Sequence, residues 1–251
     1  MTTIRPGLCS VTFRELSPER IVMLAADAGL EVIEWGGDVH VPPGDTVRAA
    51  QVARATADAG LAVCSYGSYF RAGAGEELTP ILDSAEALGA DRVRVWAGSV
   101  GSAEATVEDL AGTVDRLRSA VSEASARGIG LALEFHSGTL ADTAPTTLQL
   151  LADVSSPALT TYWQPTVAAP DDVALAEYRA IAAHTSAVHV FSWWPAKERL
   201  PLRARDELWS RFFAAASAAE RPPRDALLEF IPDADPDLLA AEAATLRGYL
   251  V

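Results

Sequence analysis

Glu134, His189 and Glu229 each stand at or just past the end of a short apolar run, in GIGLALEFH, TSAVHVFSWW and DALLEFIP. Carboxylates and an imidazole are the donors that hold a divalent cation. Two carboxylates at one place can also take a proton from carbon and return it. Runs of this kind, opened by Gly or polar residues and rich in Val, Ile and Leu, read as buried parallel strands, which puts their last residues on one rim.

Positioning three such groups together takes a repeating scaffold, and the chain supplies one. Candidate strands begin near Gly7, Glu31, Leu61, Asp91, Ile129, Leu159, Ser186 and Ala226. Between them run stretches with apolar residues three or four apart: Pro18 to Ala28, Asp45 to Ala59, Leu78 to Leu88, Thr106 to Arg127, Thr146 to Val154, Leu175 to His184, Arg205 to Ala219 and Asp237 to Leu250. Ser17-Pro18 and Asp235-Pro236 pair a capping residue with proline at the first helical position. Gly29, Gly60, Gly89 and Gly128 stand where helices should stop. A strand followed by a helix about every thirty residues predicts an α/β fold, a single (β/α)8 TIM barrel over residues 1–251. That length suits one barrel and leaves no room for a second large domain.

Composition narrows the partners. The formal net charge is −14, and there is no run of Lys and Arg to neutralise phosphates, which argues against nucleic acid. No apolar stretch approaches the roughly twenty residues of a membrane span. The N-terminus carries no basic segment followed by an apolar one, so a cytoplasmic location is expected. Cys9 and Cys64 fall in predicted strands and are expected to be reduced and buried.

The carboxyl ends of barrel strands carry the active site, and aromatic residues crowd them here. Trp35, Trp96, Trp163, Trp193 and Trp194 lie at or past strand ends with Tyr66, as do His40 and His136. Aromatic faces stack on the apolar faces of sugar rings, so Trp35, Tyr66, Trp96, Trp163 and Trp193 are candidate substrate contacts; the alternative is that they plug the barrel mouth. His136, two residues after Glu134, shares its strand face and is placed to bond a substrate oxygen. Glu34 and His40 line the other wall. Arg94, inside the fourth strand, reads as an internal salt bridge. The loops after strands seven and eight lack the glycines of a phosphate cradle, although the one lysine, Lys197, stands in the first of them with Arg199.

The segments GLEVIEWGGDVHVPPG, LEFH, VHVFSW and LLEFIP resemble the xylose isomerase-like barrels, a family that includes sugar isomerases, 3-epimerases and dehydratases. The resemblance spans nearly the whole chain. It implies a divalent cation, Mn2+, Mg2+ or Co2+, held by Glu134, His189 and Glu229 in the places of the family's Glu, His and Glu ligands. The sixth strand, LTTYWQP, offers no aspartate where the remaining ligand belongs, and Gln164 is the nearest candidate, an amide oxygen without charge. It further implies that Glu134 and Glu229 are the catalytic acid/base pair, moving a proton beside the carbonyl of a sugar or keto-sugar through a metal-stabilised enediolate. Expulsion of a β-substituent by the same enolate, in a lyase or dehydratase, begins identically and stays open, as does a carbohydrate-binding relative without catalysis. Association into a homo-oligomer through the outer helices is compatible with the fold.

Overall fold

The computed structural model describes residues 4–250. Its strands are β1 (Arg5–Cys9), β2 (Val32–Gly36), β3 (Ala62–Gly67), β4 (Arg92–Val95), β5 (Gly130–Glu134), β6 (Leu159–Trp163), β7 (Thr185–Val190), the short pair β8 (Ser192–Trp193) and β9 (Arg199–Leu200), and β10 (Asp225–Leu228). All but β8 and β9 form one closed parallel barrel in which β10 pairs with both β7 and β1. The antiparallel β8–β9 pair is a small hairpin set on the carboxyl end of β7. Eight helices follow the barrel strands: α1 (Pro18–Asp27), α2 (Thr46–Asp58), α3 (Thr79–Leu88), α4 (Val107–Ala126), α5 (Ala144–Val154), α6 (Asp171–Ile181), α7 (Asp206–Ser217) and α8 (Leu239–Tyr249).

The expected punctuation holds, with three local differences. The run GLCSVTF is not all strand, because Ser10–Phe13 turns into a 3-10 helix whose four residues are buried. Helix α6 starts at Asp171 rather than Leu175; the acidic side chains of Asp171 and Asp172 favour a helix N-terminus there. Asp235 does cap, but it caps a 3-10 turn, Pro236–Leu238, that leads into α8. Ser17 accepts a hydrogen bond from the Arg20 amide and opens α1, and Thr106 with Asp109 forms a full capping box on α4.

Period-two alternation divides each strand between two cores. Outward side chains meet the helices in the large cluster that includes Ile33, Trp35, Val93, Leu131 and Trp163. Inward ones form a smaller apolar layer of Cys9, Val32, Cys64, Ala132, Tyr162, Ala187 and Leu227. Below that layer, at the strands' amino ends, Asp225 binds both Arg5 (2.6 Å) and Arg92 (2.7 Å). Above it lie the inward residues of the carboxyl ends, and these are polar.

Candidate active site

His189 is the hub of that upper layer. On its Nδ1 side stand Gln164 Oε1 at 2.9 Å, Glu229 Oε2 at 3.4 Å and Glu134 Oε1 at 3.9 Å. On its Nε2 side, Glu34 Oε1 lies at 3.5 Å. Arg94 bridges the two halves, donating from Nε to Glu34 Oε1 at 3.0 Å and from Nη1 to Glu134 Oε2. Ser65 donates to the other oxygen of Glu34 at 2.8 Å. None of Glu34, Arg94, Glu134, Gln164, His189 and Glu229 is more than 9% exposed, so their charges act on one another with little screening by water.

Backbone register explains the convergence. Gln164 follows β6 and Glu229 follows β10, each one residue beyond the last paired position, while Glu134 ends β5 and His189 is inward on β7. Gly67 at the end of β3 makes room: a β-carbon there would meet Arg94 Nη2 at 2.7 Å and Glu34 Oε1 at 2.9 Å. Phe230, directly after Glu229, takes a left-handed φ of 52° and turns its ring toward Trp193, 5.4 Å away.

The electrostatics separate the carboxylates. Burial raises the carboxyl of Glu34, but Arg94, His189 and Ser65 outweigh it and hold the group well below the usual carboxylate range. Glu229 goes the other way, pushed up to about 7 by burial and by its neighbours Glu134 and Glu34, against the pull of His189 and Arg94. For His189, burial favours the neutral ring, yet Glu229, Glu34 and Glu134 together raise its affinity for a proton. Burial and the nearby Glu34 push the Cys9 thiol far up, so it is a neutral neighbour.

The donor types, carboxylate and amide oxygens with an imidazole, are those a hard divalent cation takes. Octahedral bonds of about 2.1 Å put adjacent donors about 3 Å apart and opposite ones about 4 Å apart, and the separations from Nδ1 to Gln164, Glu229 and Glu134 fall in that span. Among the described residues, the His, Cys, Asp and Glu group whose donor atoms all lie within 4.8 Å of one another is Cys9, Glu34 and His189. That face offers a thiol and a carboxylate already bound to Arg94 and Ser65. The Nδ1 face offers more free oxygen donors, although the Glu134, His189 and Glu229 donors do not all lie within 4.8 Å of one another.

The expected substrate contacts divide sharply. Trp96 and His136 reach the mouth, stacked at 4.6 Å with Arg71 3.9 Å above the indole. Trp193 also reaches it, between Phe191 and Phe230, with Arg199 4.7 Å from the Phe230 ring. Lys197 is exposed in the turn between β8 and β9. Trp35, Tyr66 and Trp163 are not at the mouth. Trp35 donates to Thr56 of α2 at 3.2 Å, Tyr66 donates to the Val41 carbonyl at 2.7 Å, and Trp163 stacks on Phe212 of α7 at 4.8 Å. All three are fully buried. The alternation that turns Glu34 and Gln164 inward turns Trp35 and Trp163 outward. His40 is buried and its Nδ1 is 2.9 Å from Ser10 Oγ, which ties the first two loops together. Arg94 is the internal salt bridge expected of it, but it lies at the centre of the site. The sign in the sequence was an arginine inside an apolar strand, which needs a buried carboxylate partner.

A closed parallel barrel with a buried acid, base and imidazole cluster at its carboxyl rim has the layout of a (β/α)8 enzyme site. Residues 22–209 match the xylose isomerase-like TIM barrel family, and the chain belongs to it. It is 27% identical over 166 residues to a 3-dehydroshikimate dehydratase of Bacillus anthracis, an alignment covering 61% of this chain and 59% of that protein. The matched segment is thus about three fifths of the curated relative's length. The fold is also similar to the crystal structure of a probable 3-DHS dehydratase from Bacillus anthracis, with a TM-score of 0.79, 20% identity and coverage of 97% of this chain and 99% of that one. The D-psicose 3-epimerase of Clostridium cellulolyticum H10 gives a TM-score of 0.76 at 12% identity, covering 98% of each chain.

Proposed function

We propose that the chain is an isomerase or epimerase that moves a proton beside the carbonyl of a small polyhydroxylated sugar or keto-sugar, with Glu134 and Glu229 as the acid/base pair. The observation that carries this reading is their placement: two buried carboxylates flank His189 from different strands, and the proton affinity of Glu229 is lifted to about 7. A group near 7 both releases and recovers a proton at working pH. Arg94 fixes the Glu134 carboxylate against movement, and the Trp96–His136 stack with Trp193 and Phe230 keeps water from the reacting carbon. His136 and Trp96 are the proposed ring and hydroxyl contacts, and Lys197 is a proposed outer contact.

Glu134, Gln164, His189 and Glu229 would hold Mn2+, Mg2+ or Co2+, which when bound polarises a carbonyl and stabilises the charge of an enediolate. A second reading, elimination of water after the same deprotonation, is favoured by the dehydratase relative and by Glu229, which can deliver its proton to a leaving hydroxyl. A net charge of −14 speaks for a small-molecule partner and not nucleic acid, and no described helix is long and apolar enough to cross a membrane. Two buried free cysteines support a cytoplasmic place of work.

The test is incubation with D-psicose, L-ribulose and 3-dehydroshikimate in deuterated water with each of the three metals. Deuterium at the carbon beside the carbonyl, with a new stereoisomer or a shifted carbonyl, supports the first reading. Loss of water supports the second. Retention of every carbon-bound hydrogen across a wider panel of keto-sugars and keto-acids would overturn both.

A further inference from the structure

We propose that Glu34 is a positioning residue that holds the ring proton of His189 on Nε2 and so turns the Nδ1 lone pair toward the Gln164, Glu229 and Glu134 oxygens. The inference rests on the cation site proposed above and extends it to a residue from the far side of the barrel.

The geometry supports it from several directions. His189 Nε2 is fully buried and has no hydrogen-bond partner at normal distance. The nearest acceptor is Glu34 Oε1 at 3.5 Å, and a buried N–H with no better acceptor will be held by that carboxylate. Glu34 cannot swing away, because Arg94 Nε grips the same oxygen at 3.0 Å and Ser65 Oγ the other at 2.8 Å. The ring itself is fixed edge-on against Tyr162 at 5.3 Å. With the proton on Nε2, Nδ1 and Gln164 Oε1 face each other as two acceptors 2.9 Å apart, and Glu229 Oε2 adds a third acceptor at 3.4 Å. Such a concentration of lone pairs is stable only with a cation or a proton among them. A histidine ligand whose second nitrogen is tied to a carboxylate is also the more basic and better oriented donor. Arg94 has a second part in this arrangement, since one guanidinium sets both Glu34 on the Nε2 side and Glu134 on the Nδ1 side.

The ring nitrogen chemical shifts of His189 read the tautomer directly in the metal-free full chain, at a pH where the ring is neutral. The expected result is a proton on Nε2 in the wild type and its redistribution toward Nδ1 in Glu34→Met, which has similar length and no acceptor. Manganese titration of the same proteins should show about 10- to 100-fold weaker binding in Glu34→Met. Ser65→Ala, which loosens Glu34 without touching a proposed ligand, should shift both readouts the same way by less, and it answers the question if Glu34→Met does not fold. A proton on Nδ1 in the metal-free wild type overturns the inference, as do unchanged tautomer and manganese affinity in the variants. If the wild type binds no divalent ion, the cation site is wrong, and the tautomer comparison alone still decides the role of Glu34.

Discussion

At Glu229 the barrel keeps a carboxyl group in a state that an exposed glutamate would not adopt at neutral pH. Its proton affinity is raised to about 7 in the folded chain, from an ordinary value near 4.5. A raised folded value means that the stabilising contribution is complete below about 4.5 and is lost as pH climbs through about 7. His189, also raised, acts in the same direction over its own range. Glu34, lowered, does the opposite in strong acid. The metal-free protein should therefore melt at a lower temperature at pH 8 than at pH 5.5, and Glu229→Gln should flatten that difference; thermal melts across this range check it. Added manganese should reverse the slope, since the ion competes with the proton for Glu229. In turnover assays, Glu134→Gln and Glu229→Gln should each lose about 10²-fold or more. Gln164→Asp should tighten manganese binding by supplying the missing charge, as calorimetry would show.

Elements decide which of two neighbouring residues works and which packs. Trp163 and Gln164 are adjacent, yet one stacks on Phe212 at 4.8 Å and the other places its amide oxygen 2.9 Å from His189 Nδ1. Trp163→Ala should thus cost stability on the order of 3–5 kcal/mol, measured by denaturant unfolding. Trp193→Ala, on the half-buried hairpin β8–β9, should leave unfolding nearly unchanged and weaken ligand-induced quenching of tryptophan fluorescence. The sequence made the eight βα units legible because strand period, helix caps and terminal glycines are local signals. It also made Glu134, Gln164, His189 and Glu229 legible as strand-end residues, and the structure brings the other three around the His189 imidazole. Which face each strand end presents was less visible. Position along the chain alone places the aromatic residues at strand ends, and only the alternation measured from Glu34 and Gln164 reveals that Trp35 and Trp163 point at helices. Arg94 was legible as a salt bridge, but its two partners sit 60 and 40 residues away on other strands, a pairing no local pattern records.

For the molecule as a whole, the barrel interior is an apolar layer between two charged ones. The lower layer is structural: Asp225 is fully buried between Arg5 and Arg92. Asp225→Asn should destabilise the fold by about 3–5 kcal/mol while leaving manganese affinity as it was, a separation that paired unfolding and titration experiments can show. The upper layer has a different balance. With Glu229 ionised and His189 neutral, Glu34, Glu134 and Glu229 outnumber Arg94 and two negative charges remain under the mouth. A potassium ion there would leave one of them bare, and a lanthanide would bring one positive charge too many, each in a setting where an uncompensated charge is costly. Gln164 adds no charge to this tally, so at the proposed cation site an ion of two positive charges would balance it, and valence as well as radius would bear on which ion is held.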